Sequence, residues 1–515
     1  MQYPRHFLLL ICAVCVKTSL SYHVLFYHNW GTKSHLIQFA PVVEELLGRG
    51  HRVTTVVFDS FKVKNENYTE ILMPNAGERI TNDISQLLMS EDRLNLTMWR
   101  SMYESGKQSL EDIAVQPLRD DKFKAFLRSE KKVDLIVAIM GTPAFLADHF
   151  DCPIALFSPI GPMGFNLPGT GIDINLSVQP LVNGGSIEPM SFFERIKNHL
   201  KFTGETWFMN WLLNRIASDQ REEWSFGEIR DPLVILQERF SILLSASHPI
   251  THGSWPYPPN LIECGSLHLK DPKPLPKDLR SFMDSATKGV VFVSFGSAIK
   301  PSAMTKERMM VFLEAFSKID LSVIWKWDSE IPNLPKNVMI SPWVPQQDLL
   351  GHPNLKVFVT HGGMGSIMES IYHKAAIVGI PLANDQKVNL IRAAKNGFAR
   401  MLDWTSLSAE ELSNAINEGA KDEEMNSAVE RTHNLYVDRM ERPVEVAAYW
   451  LEYVCRHRGA GILQPSAGNE VPWYQRHHVD IATFIIGVVS LTTSAILFSC
   501  FICFRMCFKK KIKTE

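Results

Sequence analysis

The stretch that decides the fold is WVPQQDLLGHPNLKVFVTHGGMGSIMESIYHKAAIVGIPLANDQ, residues 343–386. Its LKVFVT run (355–360) is apolar and β-branched, which predicts a buried strand. The glycine-rich turn HGGMGS (361–366) follows, and SIMESIYHKA (366–375) has the apolar spacing of a helix. A strand, a glycine-rich turn and a helix N-terminus direct unpaired backbone N–H groups and a helix dipole at one point. The segment therefore predicts an anion site.

Each of these features also has a purely structural interpretation. Glycines between a strand and a helix often form only a tight turn. Ser366 and Glu369 fit the S-x-x-E capping box, so both could serve only to begin the helix. Trp343 could be a core residue, and Asp385 with Gln386 could lie in a solvated loop. The combination favours a ligand, because an indole, an imidazole, an acid and an Asp-Gln pair suffice to contact a whole nucleotide sugar.

The segment resembles the donor-binding signature of the UDP-glycosyltransferases, and its spacing from Trp343 to Gln386 matches that signature without a gap. The resemblance implies that Trp343 stacks on uracil and that Gln346 contacts the base or ribose. It also implies that Glu369 holds the ribose hydroxyls. One departure is Ala376, where the signature usually has proline. This position lies in the turn between helix and strand, so we expect an effect on stiffness rather than on contacts.

The same resemblance assigns the phosphates and the sugar. It implies that His361 reaches a diphosphate oxygen, while Gly365 and Ser366 offer N–H or hydroxyl groups to the other phosphate. It also implies that Asp385 and Gln386 hold the hydroxyls of the transferred sugar. A second Gly-Ser turn after the strand GVVFVSFGS (289–297) adds a further contact to phosphate or sugar. We expect no cofactor, and a UDP-sugar co-substrate such as UDP-glucose or UDP-glucuronate. The expected donor-binding residues are Trp343, Gln346, His361, Gly363, Gly365, Ser366, Glu369, Asp385, Gln386 and Ser297.

The N-terminal half supplies a candidate base. The strand HVLFYH (23–28), an amphipathic stretch (35–50) and the strand RVTTVVF (52–58) form a βαβ unit, which predicts a parallel sheet. His35 lies where the first loop becomes the first helix. By resemblance it matches the catalytic histidine of the family, and an unperturbed pKa of about 6.5 suits a general base. By its position alone, His35 could equally be a helix-start residue or a packed surface group.

One position departs from the catalytic pattern of the family. In relatives, an acid at the end of the strand corresponding to VDLIVAIM (133–140) orients the histidine, and the matching residue here is Ile139. Asp134 opens that strand, and Asp148 falls in the next predicted helix. Losing an orienting carboxylate costs about 10⁴ in rate in the serine-protease template. His35 could act alone on acidic phenols, another carboxylate could substitute, the chain could bind donor without efficient transfer, or the alignment could be shifted.

The chain divides into two α/β halves, and the resemblance implies the GT-B fold of two Rossmann-like domains facing across a cleft. Doubly wound domains bind ligands at the carboxyl ends of their strands. The aromatic stretch 190–230 predicts helices that cover the acceptor cleft or touch the membrane. We expect a signal peptide (1–21), an N-terminal acceptor-binding domain (22–252), a linker (253–286), a C-terminal UDP-sugar-binding domain (287–455), a juxtamembrane segment (456–478), a transmembrane helix (479–504) and a cytoplasmic basic tail (505–515).

The two ends of the chain predict a membrane topology. The apolar run FLLLICAVCV (7–16) after Arg5 is typical of a signal peptide. Ile481–Phe504 is an uncharged apolar run long enough to span roughly 30 Å of hydrocarbon, and basic residues follow it. We therefore expect a single-pass type I protein with a luminal body. Lysines 511 and 513 resemble an endoplasmic-reticulum retrieval signal, although a positive-inside cluster explains them equally.

Three sequons, beginning at Asn67, Asn95 and Asn175, fit a luminal glycoprotein. Composition excludes other classes. A net charge of −2 over 515 residues leaves no basic field for nucleic acid. Only three cysteines fall between the two apolar ends, too few for a disulfide framework. No Asp-x-Asp triplet occurs, so a metal-clamped diphosphate lacks its ligands, and we expect no metal.

The sequence thus predicts a metal-independent, inverting UDP-dependent hexosyltransferase that acts on hydroxyls of small lipophilic acceptors, as in detoxification. His35 is its expected base. The alternative is a catalytically weakened homologue that binds UDP-sugar and acts as a partner of active relatives, for which Ile139 is the reason. The variable loops at 60–120 and 160–230 are expected to contact the acceptor, and homo- or hetero-oligomers are possible.

Overall fold

The computed structural model describes residues 21–89, 96–164, 167–297, 299–300, 303–464, 471–476 and 478–512. The expected signal peptide lies outside these residues except for Ser21, as do Asn95 of one sequon and Lys513 of the basic tail. The chain forms two compact units, 1–464 and 465–515, and each is described by itself.

The first unit contains two parallel sheets. The strands of the N-terminal sheet lie in the order third, second, first, fourth, fifth, sixth and seventh, and all neighbours are parallel. The winding direction therefore reverses between the first and fourth strands, where doubly wound sheets open a ligand crevice. The strands are β1 (His23–His28), β2 (Arg52–Val57), β3 (Tyr68–Leu72), β4 (Leu135–Ala138), β5 (Ile154–Ser158), β6 (Phe240–Ser245) and β7 (Leu261–Glu263).

The second sheet repeats this plan with six parallel strands. These are β8 (Val290–Ser294), β9 (Ser322–Lys326), β10 (Val338–Ser341), β11 (Leu355–Thr360), β12 (Ala376–Gly379) and β13 (Ala399–Met401). They lie in the order β10-β9-β8-β11-β12-β13, so the switch point falls between β8 and β11. Two Rossmann-type α/β lobes result, as the sequence predicts.

Helices connect the strands on both lobes. Those between β1 and β7 are α1 (Lys33–Leu36), α2 (Phe39–Gly48), α3 (Glu78–Met89), α4 (Leu96–Arg119), α5 (Asp121–Ser129), α6 (Ala144–His149), α7 (Phe192–Glu223), α8 (Pro232–Arg239) and α9 (Pro249–His252). The later ones are α10 (Lys277–Ser285), α11 (Lys306–Ser317), α12 (Gln346–Leu350), α13 (Met364–His373), α14 (Gln386–Lys395), α15 (Ala409–Lys421), α16 (Glu423–Val437) and α17 (Pro443–Arg456).

Several elements differ from the expectation. The predicted helix 35–50 is interrupted and forms α1 and α2. The predicted linker 253–286 contains two regular elements that the sequence did not indicate, β7, which pairs with β6, and the helix α10. Helix α17 falls within the expected C-terminal domain but packs on the core of the first sheet through Ala447, Leu451 and Val454. Proline and glycine content marks where a chain turns, whereas the sheet that a segment joins depends on distant partners.

Helix α7 has an unusual surface. A capping box of Ser191 and Glu194 begins it, and one of its faces is buried. Another face exposes large apolar side chains, including Phe193 (78% exposed), Leu200 (69%) and Trp207 (70%). An exposed apolar patch of this kind marks an interaction surface. This apolar face is exposed for either contact that we expected of residues 190–230, with the acceptor cleft or with the membrane.

The second unit contains α18 (Trp473–Arg476) and the long helix α19 (Val479–Ile512). Within α19, Val479–Arg505 spans 27 residues with a mean hydropathy of 2.2. At about 1.5 Å per residue such a helix is about 40 Å long, which exceeds the roughly 30 Å of hydrocarbon in a bilayer. By length and composition this helix fits a membrane span.

Candidate active site

The glycine-rich turn lies at the carboxyl edge of the second sheet, at its switch point. Gly362 has a φ of +82°, which favours glycine, and α13 begins at Met364 with Gly363 as its N-cap. Because a glycine cap has no side-chain acceptor, the first amides of α13 suit an anion. The capping-box interpretation of Ser366 and Glu369 is wrong, since both side chains lie inside α13 and do not cap it.

A hydrogen-bond network joins three of the expected donor-binding residues. Gln346 Nε2 donates to Glu369 Oε2 at 2.6 Å and to Ser366 Oγ at 3.4 Å. The other carboxylate oxygen, Glu369 Oε1, lies 3.0 Å from His268 Nε2. Ser366 and Glu369 are both buried. Since a carboxylate has about four acceptor positions, Glu369 keeps capacity for the two hydroxyls of a ribose.

Trp343 presents an open aromatic face beside a lysine. Its side chain is 66% exposed, which a core role does not explain but a stacking role requires. Lys326, the last residue of β9, places Nζ 5.5 Å from the centre of the Trp343 ring. The same Nζ donates to the Gly296 carbonyl at 2.9 Å. Burial lowers the pKa of Lys326, and the negative charge of Glu369 opposes that shift.

His361 is held between two glycines. A Cβ on Gly296 would lie 2.7 Å from His361 Cε1, and one on Gly363 would lie 2.7 Å from Nε2. Any side chain at these positions would displace the ring. Burial, and secondarily the charge of Lys326, lowers the pKa of His361 to about 4. The imidazole is therefore neutral near pH 7, so it can contact a phosphate oxygen by donating one N–H.

Asp385 and Gln386 are buried and already bonded within the lobe. The Asp385 carboxylate accepts from Asn389 Nδ2 at 2.6 Å and from the Met364 N–H at the start of α13. Burial raises the pKa of Asp385. Gln386 Oε1 accepts from two backbone N–H groups of the preceding loop, at 2.7 and 2.9 Å. A sugar hydroxyl would thus meet the remaining acceptor positions of Asp385 and the Nε2 of Gln386.

The remaining expected donor contacts lie at the two turns. Ser297 follows β8 and is exposed. Gly365 lies in the first turn of α13, where a Cβ would have 3.9 Å to its nearest neighbour, His268 Nε2. The space above the turn is therefore open at Gly365, unlike at Gly363.

On the first sheet, His35 lies in α1, beyond the carboxyl end of β1 and thus at the switch point. The imidazole is half-buried, and burial lowers its pKa to about 4. It is neutral near pH 7, the state that a base requires. Its Nδ1 lies 3.9 Å from the position of a Cβ on Gly31.

Neither acid that the sequence offers can orient His35. Asp134 accepts from the backbone N–H of His23, at the amino end of β4, with 2.8 Å between the two atoms. Asp148 accepts from Arg230 Nε at 2.8 Å and Nη2 at 2.6 Å. The hydrogen bonds from Arg230 lower the pKa of Asp148, so this acid is held in a structural pair.

The two lobes contact each other next to these sites. In α14, Arg392 Nη2 donates to Glu188 of the first lobe at 2.8 Å, and Nη1 donates to the Thr251 carbonyl at 3.1 Å. The Lys300 N–H, in the loop after β8, donates to Ser85 Oγ of α3 at 2.8 Å. Among the described residues, no group of three or more His, Cys, Asp or Glu side chains has the arrangement of a metal site.

Comparison with known proteins decides the family. The profile described as "UDP-glucoronosyl and UDP-glucosyl transferase" matches residues 29–514. The chain belongs to the UDP-glycosyltransferase family. Human UDP-glucuronosyltransferase 2B7 is 31% identical over 500 residues, covering 92% of this chain and 91% of that protein. The UDP-glycosyltransferase UGT5 of Dactylopius coccus is 29% identical, with 92% and 90% covered.

Solved structures show the same fold. A UDP-glucosyltransferase of Polygonum tinctorium, solved in a complex with 3,4-dichloroaniline, has a TM-score of 0.55 at 17% identity. The match covers 86% of this chain and 99% of the Polygonum tinctorium chain. A glycosyltransferase of kitacinnamycin gives a TM-score of 0.55 at 19% identity, with 84% and 99% covered. The GT-B fold and a UDP-dependent glycosyl transfer of the hexosyltransferase type are thus those of the family.

Two residues of this UDP-glycosyltransferase site were missed in the sequence. Lys326 ends the predicted strand VIWKW, and a polar residue at the carboxyl end of a strand next to the switch point is a usable signal. His268 lies in the proline-rich linker, and only the fold brings it to Glu369. Nothing in the local sequence of His268 indicates that contact.

Proposed function

We propose that this UDP-glycosyltransferase transfers a hexosyl group from a UDP-sugar to the hydroxyl of a small lipophilic acceptor, with inversion and without a metal. UDP would bind on the second lobe, with uracil on Trp343 and the ribose at Glu369. The diphosphate would lie over the start of α13 between His361 and Lys326. The single observation that carries the proposal is the convergence of these groups around one glycine-rich turn at a switch point.

The chemistry follows from the charges of the site. His35 Nε2 takes the acceptor proton as the acceptor oxygen bonds to the anomeric carbon and the bond from that carbon to the diphosphate oxygen breaks. The negative charge that develops on UDP falls near the Lys326 ammonium, the His361 N–H and the amides of α13. Because these donors are fixed before reaction, they stabilise the leaving group without reorganisation.

A donor screen tests the proposed function. The full-length chain in nanodiscs is incubated with UDP-glucose, UDP-glucuronate, UDP-galactose or UDP-N-acetylglucosamine and a panel of phenols, and released UDP is measured. We expect acceptor-dependent UDP release with one donor, unchanged by EDTA. UDP bound without release from any donor would contradict the proposal, and a rate abolished by EDTA would contradict its metal-independent form.

The pH profile is a second prediction. Because burial lowers the pKa of His35 to about 4, protonation removes the base only in strong acid. With a long-chain alcohol as acceptor, kcat/KM should be flat from about pH 6 to 8 and fall as the pH approaches 4. Measuring UDP affinity over the same pH range distinguishes the protonation of His361 from that of His35, because His361 is proposed to contact the diphosphate. A midpoint near 6.5, the value of an unperturbed imidazole, would contradict the burial of the base.

The second candidate function is favoured by Ile139. A homologue without an orienting carboxylate would bind UDP-sugar through an unaltered donor site, transfer slowly, and act as a partner of active relatives. The donor screen separates the two candidates, since this one predicts UDP binding with negligible release.

We further propose that α19 anchors the protein in the endoplasmic-reticulum membrane with the body in the lumen. The uncharged span of α19 and the basic residues after it support this orientation.

A further inference from the structure

A second histidine lies beside the proposed base. His28 is the last residue of β1 and is only 3% exposed. Its Nε2 is buried and has no hydrogen-bond partner among the residues that the structure describes. An unpaired buried nitrogen costs free energy, so its presence at a switch point calls for an explanation. Burial, and secondarily the charge of His35, lowers the pKa of His28 to about 3, so the ring is neutral.

Packing explains the ring of His28 but not its nitrogen. The ring centre lies 5.7 Å from that of Phe58, 6.0 Å from that of Phe39 and 6.4 Å from that of Trp30. A phenylalanine would fill this aromatic surrounding equally well, without leaving a polar atom unpaired. The unpaired Nε2 therefore indicates that His28 has a polar role.

The two histidines border the same small space. A Cβ on Gly31 would lie 3.3 Å from His28 Nε2 and 3.9 Å from His35 Nδ1. Gly31 has a φ of +110°, which also favours glycine, so the space between the two rings stays free of a side chain. Since His35 turns Nδ1 to this space, its Nε2 remains for the acceptor.

Strand register places His28 next to the altered catalytic position. β1 and β4 are parallel neighbours whose last registered pair is Tyr27 with Ala138. His28 and Ile139 follow this pair directly on the two strands, and both are buried. The acid that relatives carry on β4 thus has, in this chain, a histidine one strand away.

We propose that His28 is the positioning residue for His35, in place of the absent carboxylate. This inference rests on the proposed function, in which His35 is the base. When His35 Nε2 takes the acceptor proton, the His35 Nδ1–H and the lone pair of His28 Nε2 border the same space beside Gly31. That lone pair stabilises the positive charge on His35 electrostatically, while both ring protons stay on His35. A neutral imidazole supports this charge less than a carboxylate does, so the reaction proceeds at a reduced rate.

The test combines loss and rescue in the full-length chain. His28→Phe keeps the aromatic packing and removes the acceptor nitrogen. We expect kcat with a long-chain alcohol as acceptor to fall about 10- to 100-fold, the usual worth of one polar contact to a charged group, with unchanged affinity for UDP. Adding Ile139→Asp to His28→Phe should restore kcat at least about tenfold, because the carboxylate returns to the position that relatives use.

A matched control is His149→Phe, which changes a half-buried histidine among aromatic rings of the same lobe and should leave kcat unchanged. An unchanged kcat in His28→Phe would overturn the inference while leaving the proposed function intact. The inference would also be overturned if Ile139→Asp did not restore the kcat lost in His28→Phe, or if UDP binding weakened together with kcat. Either result indicates a structural role for His28. Wild-type protein that binds UDP but forms no product would defeat both the proposed function and this inference.

Discussion

Replacing His35 by alanine is expected to abolish measurable transfer, lowering kcat/KM at least about a hundredfold. A general base contributes about 10² to 10⁴ in rate. Affinity for UDP should not change, because every proposed donor contact lies on the second lobe. The measurement is product formation from a long-chain alcohol, together with titration of UDP.

His457→Ala is a suitable control for that variant, since it removes an exposed histidine beyond α17. Its activity should equal that of the wild type. Should His35→Ala retain more than about a tenth of the activity on an alcohol acceptor, His35 is not the base. An alcohol is preferred for this control because an acidic phenol can react partly as the phenolate.

Replacing Lys326 by methionine is expected to have the second-largest effect, a fall of about 10² to 10³ in kcat. This is the usual loss when one fixed donor to a developing negative charge is removed. The methionine keeps the apolar stem but removes both the bond to the Gly296 carbonyl and the cation beside Trp343. UDP affinity should also weaken, because the bound diphosphate is charged before reaction.

Two measurements make the Lys326 prediction specific. Lys288→Met removes an exposed lysine of the same lobe, which pairs with Asp320 at 2.9 Å, and should leave kcat and UDP affinity unchanged. Uridine, which lacks the phosphates, should bind Lys326→Met and wild type equally. A loss of uridine affinity equal to the loss of UDP affinity would show that Lys326 supports the uracil-binding site rather than the diphosphate.

The relative positions of the expected donor-side residues could be predicted from the sequence because most of them lie in one contiguous segment, residues 343–386. The strand, the glycine turn and the helix are consecutive, so the fixed periods of strand and helix place Ser366 and Glu369 relative to His361. In the structure, Gln346 donates hydrogen bonds to both Ser366 and Glu369. The capping-box interpretation failed, because the helix starts at Met364, before the residues that would have capped it.

Other contacts and strands could not be predicted from the sequence because they depend on residues far away in the chain. His268, for example, reaches Glu369 from the linker. Strands β3, β6 and β13 were not predicted, since short runs of mixed polarity have no clear period. Such contacts are decided by packing, which is not encoded within a local window.

The sequence by itself determined the family, through the resemblance of residues 343–386 to the donor-binding signature, and the two-lobed α/β class, through local period and spacing. The groups that are expected to meet a nucleotide sugar stay a prediction. Only the tertiary structure decided which groups accompany them. Lys326 comes beside Trp343, and His28 next to Ile139, because parallel strands distant in the chain end at the same edge, whereas His268 reaches Glu369 from the linker. Strand order and register set those neighbours, and neither is a property of any one segment.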